Sequence, residues 1–179
     1  MLDSSHFKQI KNQGSIIFKS RFLKNLSKIE RYELLQLCHR REYTKGESIY
    51  YQDDPGTGMY FIEEGSLELT TESDGKSYTH TLEAPDSFGA LSIGYEFRRF
   101  STAKCLSNCV LLGFFKADFE TLKKRQPLIA VKFMETLAML SMRQLSIAID
   151  RLKTKPAEGD IPLQFDAYYD KENHGNNVF

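Results

Sequence analysis

From Glu42 to Lys116 the chain carries a turn signal every few residues, and this punctuation limits its fold more than any other feature. Lys45-Gly46, Asp53-Asp54-Pro55-Gly56, Glu64-Gly65, Ser73-Asp74-Gly75, Ala84-Pro85-Asp86 and Ser107-Asn108 each favour a reversal of direction. The runs between them are too short for helices: Ser48–Tyr51, Met59–Glu63, Ser66–Thr71, Lys76–Leu82, Ser101–Cys105 and Cys109–Lys116. In Leu67-Glu68-Leu69-Thr70 apolar and polar residues alternate as in a half-buried strand. Many short strands at this spacing predict a sandwich, barrel or jelly roll.

The flanks read differently. Ser27-Lys28-Ile29-Glu30 has the form of a capping box, and behind it Ile29, Leu34, Leu35, Leu37 and Cys38 recur at near-helical spacing. Leu23 and Leu26 are expected to pack on that helix. The basic stretch Lys8, Lys11, Lys19, Arg21, Lys24, Lys28 and Arg31 reads as a solvated helical face. After the strands, Asp118 is placed to cap a short helix ending near Arg125. Pro127 suits the first turn of a long helix, where a missing N–H costs nothing. That helix is predicted to reach Leu152, a length of about 39 Å at 1.5 Å per residue.

The long helix has two apolar stripes. One runs Val131, Ala138, Met142, Leu145, Ile149, Leu152, largely with the 4-3 spacing of a heptad seam; the other runs Phe133, Leu137, Leu140, Ile147. One stripe can cover the strands and the other needs a further partner, so a homodimer through this helix is expected. The organisation is then an N-terminal helical segment (1–40), a β-rich unit (41–117), C-terminal helices (118–152) and an extended tail (153–179). The tail holds Phe165, Tyr168 and Tyr169, expected to dock on the strands or on a protein partner.

Composition narrows the function. A hydrophobic fraction of 41% supplies a core for a chain of 179 residues. Lys+Arg and Asp+Glu are both 24, so the chain lacks the field that draws proteins to DNA or anionic membranes. Residues 1–20 contain no uninterrupted apolar stretch of a secretory signal, and no run approaches the ~20 apolar residues of a membrane span. Three cysteines, an odd number, argue against a disulfide framework, so a soluble cytoplasmic protein is expected. His6, His39, His80 and His174 are scattered, and no nucleophile elbow, P-loop or paired-carboxylate pattern occurs; catalysis is not expected. Cys105 and Cys109 read as core-filling residues on two strands parted at Ser107-Asn108, and no metal or cofactor is expected.

The order of motifs nevertheless points somewhere specific. Lys45-Gly46-Glu47-Ser48-Ile49, Met59-Tyr60-Phe61-Ile62-Glu63-Glu64-Gly65, Asp74-Gly75 and Asp86-Ser87-Phe88-Gly89 follow one another as in the cyclic-nucleotide-binding domains. Over about residues 20–152 the chain resembles that family, which includes cAMP-dependent kinase regulatory subunits, channel modules and catabolite-activator-type regulators. The resemblance implies a mainly β fold with flanking α: an eight-stranded jelly-roll-type β-roll, N-terminal helices and a long C-terminal helix. It implies a regulatory, non-catalytic domain with cAMP or cGMP as ligand. The DNA-binding members add a module after the long helix; only 27 residues follow Leu152, so DNA binding is not expected.

The resemblance also implies a phosphate-binding cassette spanning Phe88, Gly89, Ala90, Leu91 and Ser92, then Arg98, Arg99, Phe100 and Ser101. A cyclic phosphate is a compact anion suited to backbone N–H groups and a guanidinium fork. Arg99 stands at the family's arginine position, eleven residues after Phe88. The family's acidic residue, which holds the ribose 2′-hydroxyl, is Ala90 here, and a lost hydrogen bond there costs ~1–3 kcal/mol, so weak or atypical binding is expected. Phe100 stands where the family has a small residue, pointing into the roll or occluding the phosphate site. Ser141 and Gln144 on the long helix are polar candidates for base contacts. The alternative reading is a domain that has lost its ligand and acts as an interaction module.

Overall fold

The computed structural model describes residues 16–94 and 96–153. A helical stretch at residues 16–19 leads into helix α1 (Lys28–Leu35). Eight strands follow: β1 (His39–Tyr43), β2 (Ser48–Tyr50), β3 (Gly58–Glu64), β4 (Ser66–Ser73), β5 (Lys76–Glu83), β6 (Ser87–Phe88), β7 (Thr102–Cys105) and β8 (Cys109–Phe115). Between β6 and β7 lies the one-turn helix α2 (Leu91–Gly94); after β8 come α3 (Lys116–Arg125) and α4 (Pro127–Lys153). The strands form two antiparallel four-stranded sheets, β1-β8-β3-β6 and β2-β7-β4-β5. This is the mainly β roll with flanking helices that the sequence predicts.

Local chemistry explains several boundaries. Ser27 Oγ accepts from the Glu30 amide at 3.3 Å and Glu30 Oε2 accepts from the Ser27 amide at 2.8 Å, closing the expected capping box. Asp74 and Gly75 both take positive φ (52° and 72°) between paired Ser73 and Lys76, the two-residue turn an Asp-Gly pair favours. Asp118 sits inside the first turn of α3 rather than before it, and its Oδ2 accepts from the Phe115 amide at 2.8 Å. Pro127 opens α4 as expected.

Two apolar clusters share the first sheet. In β3, Met59 and Phe61 face the helices, where they join Phe22, Leu34, Leu112, Phe114, Leu122 and Phe133. Tyr60 and Ile62 point the other way, into the roll, with Tyr50, Leu67, Leu69, Phe88 and Leu111. Cys105 and Cys109 end β7 and begin β8, each 1% exposed, so both fill the inner core. Burial drives the Cys105 thiol up to about 12, with Cys109 adding to the shift, so it stays protonated.

Helix α4 divides as its two stripes predict. Phe133, Leu137 and Leu140 are buried against the roll and Ile147 of the same stripe is half-buried, while Val131, Met142, Leu145 and Ile149 remain 42–66% exposed and Ala138 is exposed beside them. The side chain of Leu152 and the tail residues Phe165, Tyr168 and Tyr169 lie outside the described residues.

Three expectations need correcting. Strand β1 begins at His39, inside the segment read as N-terminal helical; its sequence HRREY carries no apolar alternation because it is an edge strand paired only to β8. Ile29 does not join the apolar face of α1 and is 75% exposed. Arg31 is no solvated charge: its guanidinium donates to the carbonyls of Leu26 (2.8 Å), Ile17 (2.8 Å) and Lys24 (3.3 Å), fastening the N-terminal segment to α1.

Candidate functional site

The turn from β6 into α2 requires glycine. Gly89 has φ +75°, and a Cβ built on it would stand 2.5 Å from Arg99 Nη1. Only glycine supplies both that backbone conformation and the room for a guanidinium. The chain then makes one turn of helix and returns along residues 96–100, held main chain to main chain by the loop before β3. Gly56 N donates to Phe97 O at 2.8 Å, Arg99 N to Asp54 O at 2.9 Å and Asp53 N to Arg99 O at 2.9 Å.

This lacing turns Arg99 inward. It is 2% exposed, and its Nη2 donates to Gly58 O at 2.7 Å while Nη1 donates to Ser92 Oγ at 3.1 Å. Nη1 also leans on Gly89 O at 3.5 Å, too long to contribute much. The guanidinium carbon lies 4.1 Å from the centre of the Tyr50 ring, a cation–π contact. Nε has no hydrogen-bond partner. Among the described residues no carboxylate reaches salt-bridge distance of Arg99; Glu96, the obvious neighbour, is exposed and unpaired with it.

Those contacts leave a buried cation solvated by neutral acceptors and one aromatic face. Burying an unpaired charge costs several kcal/mol, and neutral hydrogen bonds recover only part of it. The surroundings are aromatic: the rings of Tyr60 and Phe88 stack at 5.3 Å, and Tyr50 stands 6.0 Å from Phe88. Burial pushes the Tyr60 phenol upward, and the Arg99 charge pulls against that shift. A site of this kind can take a small anion that replaces Ser92 Oγ or engages Nε.

The cassette residues do not all converge. Phe88, Gly89, Ser92, Arg99 and Ser101 are buried together along the fold, but Ala90 belongs to the helix-facing core, where Ile93 also packs. Leu91 is half-buried. Arg98 faces the opposite side from Arg99, as successive residues in extended chain must. It is exposed, bridges Pro55, and donates to Asp53 O at 2.7 Å. Phe100 is half-buried with its ring 5.5 Å from that of the exposed Phe97, and neither ring belongs to the inner cluster. On α4, Gln144 is buried on the roll-facing side, whereas Ser141 is exposed and its hydroxyl donates to Leu137 O at 2.9 Å.

Three partners of Arg99 escaped the sequence reading: the Tyr50 ring, the Gly58 carbonyl and the Ser92 hydroxyl as an acceptor. For Ser92 the signal is steric: a Cβ on Gly56 would meet Ser92 Oγ at 2.3 Å, so Gly56 marks where this loop presses on the cassette.

The described residues contain no group of three or more His, Cys, Asp or Glu placed to hold a metal ion, and no helix long and apolar enough to cross a membrane.

Comparison with known proteins agrees with this geometry. The chain is 30% identical over 129 residues to the cyclic AMP receptor protein of Thermus thermophilus, covering 71% of this chain and 59% of that protein. It is 30% identical over 100 residues to a cAMP-dependent protein kinase regulatory subunit of Debaryomyces hansenii, covering 56% of this chain and 22% of the subunit. The chain thus spans less than two thirds of the length of either relative. The crystal structure of the Thermus thermophilus catabolite activator protein superposes with a TM-score of 0.64 at 29% identity, over 74% of this chain and 62% of that one. Residues 40–126, the stretch that carries the two-sheet roll and Arg99, match the cyclic nucleotide-binding domain.

Proposed function

We propose that this chain is a regulatory sensor whose Arg99 pocket receives the phosphate of a cyclic nucleotide, cAMP or cGMP. The observation that carries the reading is the buried guanidinium that has, among the described residues, no carboxylate partner and no hydrogen bond at Nε. An arginine at 2% exposure is usually paired, and a bound anion would supply the charge that no carboxylate among the described residues supplies here. The relatives named for cAMP favour a cyclic nucleotide over other anions.

Binding is weak or atypical for two reasons. Ala90 offers no acceptor for a ribose hydroxyl, and Ser92 Oγ already occupies one arm of the arginine fork and must be displaced. The signal then passes outward. The cassette helix α2 contacts both β3 and α4, so an anion that draws Arg99 away from Ser92 bears on the long helix. Only a difference in affinity between two arrangements of that helix can shift their populations.

The exposed stripe Val131, Ala138, Met142, Leu145, Ile149 lies on the side of α4 away from the roll, and we assign it to a second copy of the chain. Light scattering should give twice the chain mass, falling to one on Leu145→Arg.

Thermal unfolding with millimolar cAMP or cGMP tests the ligand reading. Ligand at 100 times its dissociation constant adds ~2.7 kcal/mol, or a rise of about 5–10 °C in a domain of this size. A saturable rise that disappears in Arg99→Ala supports the pocket. A flat response to both nucleotides removes it and leaves the fold as an interaction module.

A further inference from the structure

A second cavity, of about 640 Å³, lies on the outer side of the cassette. Three segments distant in sequence wall it: the loop at Pro55-Gly56-Thr57, the returning strand at Glu96-Phe97-Arg98, and the junction of β8 with α3 at Phe115-Lys116-Ala117. Main-chain bonds fix the walls to each other. Gly56 N donates to Phe97 O at 2.8 Å, and Lys116 N donates to Thr57 O at 3.1 Å. Preformed walls and a volume of several hundred Å³ are the ordinary attributes of a small-molecule site.

The lining gives the ligand's chemistry. Phe97 and Phe115 supply the aromatic part of the lining, and the Phe97 ring, packed beside Phe100, is 37% exposed. Arg98 and Lys116 supply two cations against the single carboxylate of Glu96, a net excess of one positive charge. Flat apolar walls with one surplus cation suit an arene carrying one anionic group.

The location gives the consequence. Gly56 is the partition between this cavity and the Arg99 site: its backbone presses on Ser92 Oγ so tightly that a Cβ would stand 2.3 Å away, and Ser92 Oγ accepts from Arg99 Nη1. A molecule seated against Gly56 therefore bears on the residue that completes the arginine fork.

We propose that this outer cavity is a second ligand site, taking a small aromatic anion such as an aryl phosphate or aryl carboxylate, back to back with the Arg99 pocket and coupled to it through Gly56 and Ser92. The site uses Arg98 and Lys116, not Arg99, so it stands or falls separately from the cyclic-nucleotide reading.

Phenyl phosphate is the probe, followed by amide shifts in two-dimensional NMR of the whole chain. Benzyl alcohol serves as the arene without charge and inorganic phosphate as the charge without arene. Saturable shifts are expected at Gly56, Thr57, Phe97 and Ala117, at least tenfold weaker for either control. Lys116→Ala and Arg98→Ala should each weaken the apparent affinity about tenfold with the core resonances unchanged, Arg98→Ala also shifting the amides around Asp53 to which it donates; both side chains are at least partly exposed and their loss leaves the core intact. Arg99→Ala should retain the shifts. The proposal is overturned if the shifts vanish in Arg99→Ala, which would put the probe in the inner pocket. It is equally overturned if inorganic phosphate matches phenyl phosphate, or if no saturation is reached by about 10 mM, weaker than a formed pocket of this size warrants.

Discussion

The two faces of the sheet β1-β8-β3-β6 carry different burdens. Toward the helices, Met59, Phe61, Leu112 and Phe114 meet Phe22 and Phe133 in an apolar cluster, with aromatic centroids 5.2–6.0 Å apart. Toward the roll, Tyr60 and Ile62 from the same strand enclose a space that contains the Arg99 guanidinium. One strand, with its side chains alternating, thus contributes to one core that is apolar and to another that holds a buried cation. The lesson is that two cores of similar burial differ in what they enclose, and only the inner one bears the desolvation cost of a charge.

The contrast can be broken or sharpened by substitution. Phe61→Ala and Phe133→Ala strike the apolar face and should each cost about 3–5 kcal/mol in urea unfolding, through lost transfer energy and the cavity left behind. A loss below about 1 kcal/mol would mean that this face is not the structural one. Glycine substitutions separate strain from function at the next level. Gly89→Ala and Gly46→Ala both force an L-residue to positive φ, at +75° and +86°, and should each cost about 1–2 kcal/mol. A Cβ on Gly46 meets nothing within 4 Å, whereas one on Gly89 strikes Arg99. Only Gly89→Ala should therefore weaken nucleotide binding beyond its effect on stability; equal binding by both variants would dissociate Gly89 from the site.

Arg99→Met should change the unfolding free energy by only about 1 kcal/mol in either direction. Relief of desolvation offsets the hydrogen bonds lost at Gly58 and Ser92. A loss of 3 kcal/mol or more, near what breaking a buried ion pair costs, would show that Arg99 is structural after all.

The smallest effect lies at the periphery. Lys132 Nζ sits 2.6 Å from Glu30 Oε1, and this ammonium, with the Ser27 amide, holds the Glu30 carboxyl below its ordinary 4.5. Because the folded value is the lower one, the stabilisation is present above the unfolded carboxylate range and lost as pH falls through the folded value. Glu30→Gln should cost about 0.5–1 kcal/mol at neutral pH and almost nothing once both states are protonated in acid. Urea midpoints of the two proteins compared across that range decide it.

Much of this architecture was legible in the residues. Six of the eight strands announce themselves between turn signals, and the two helical stripes of α4 sort into a buried and an exposed face as their spacing requires. Strands β1 and β6 do not, for different reasons. His39–Tyr43 is a charged edge whose pairing is decided by β8, and Ser87–Phe88 is too short to show any period. At the site, the motif order located Arg99 but not its company. Arg98 reads as its twin in sequence and proves to face outward, because inward and outward differ by one residue in extended chain. Tyr50 and Gly58 reach Arg99 only through the pairing of strands distant in sequence, which no local pattern encodes.

Titration calorimetry of cAMP and cGMP into the native chain and into Arg99→Met tests the central claim most directly. The account predicts saturable binding of at least one nucleotide to the native chain, weakened at least a hundredfold by the loss of the guanidinium. Equal affinity in the two proteins, or no heat in either, would contradict it.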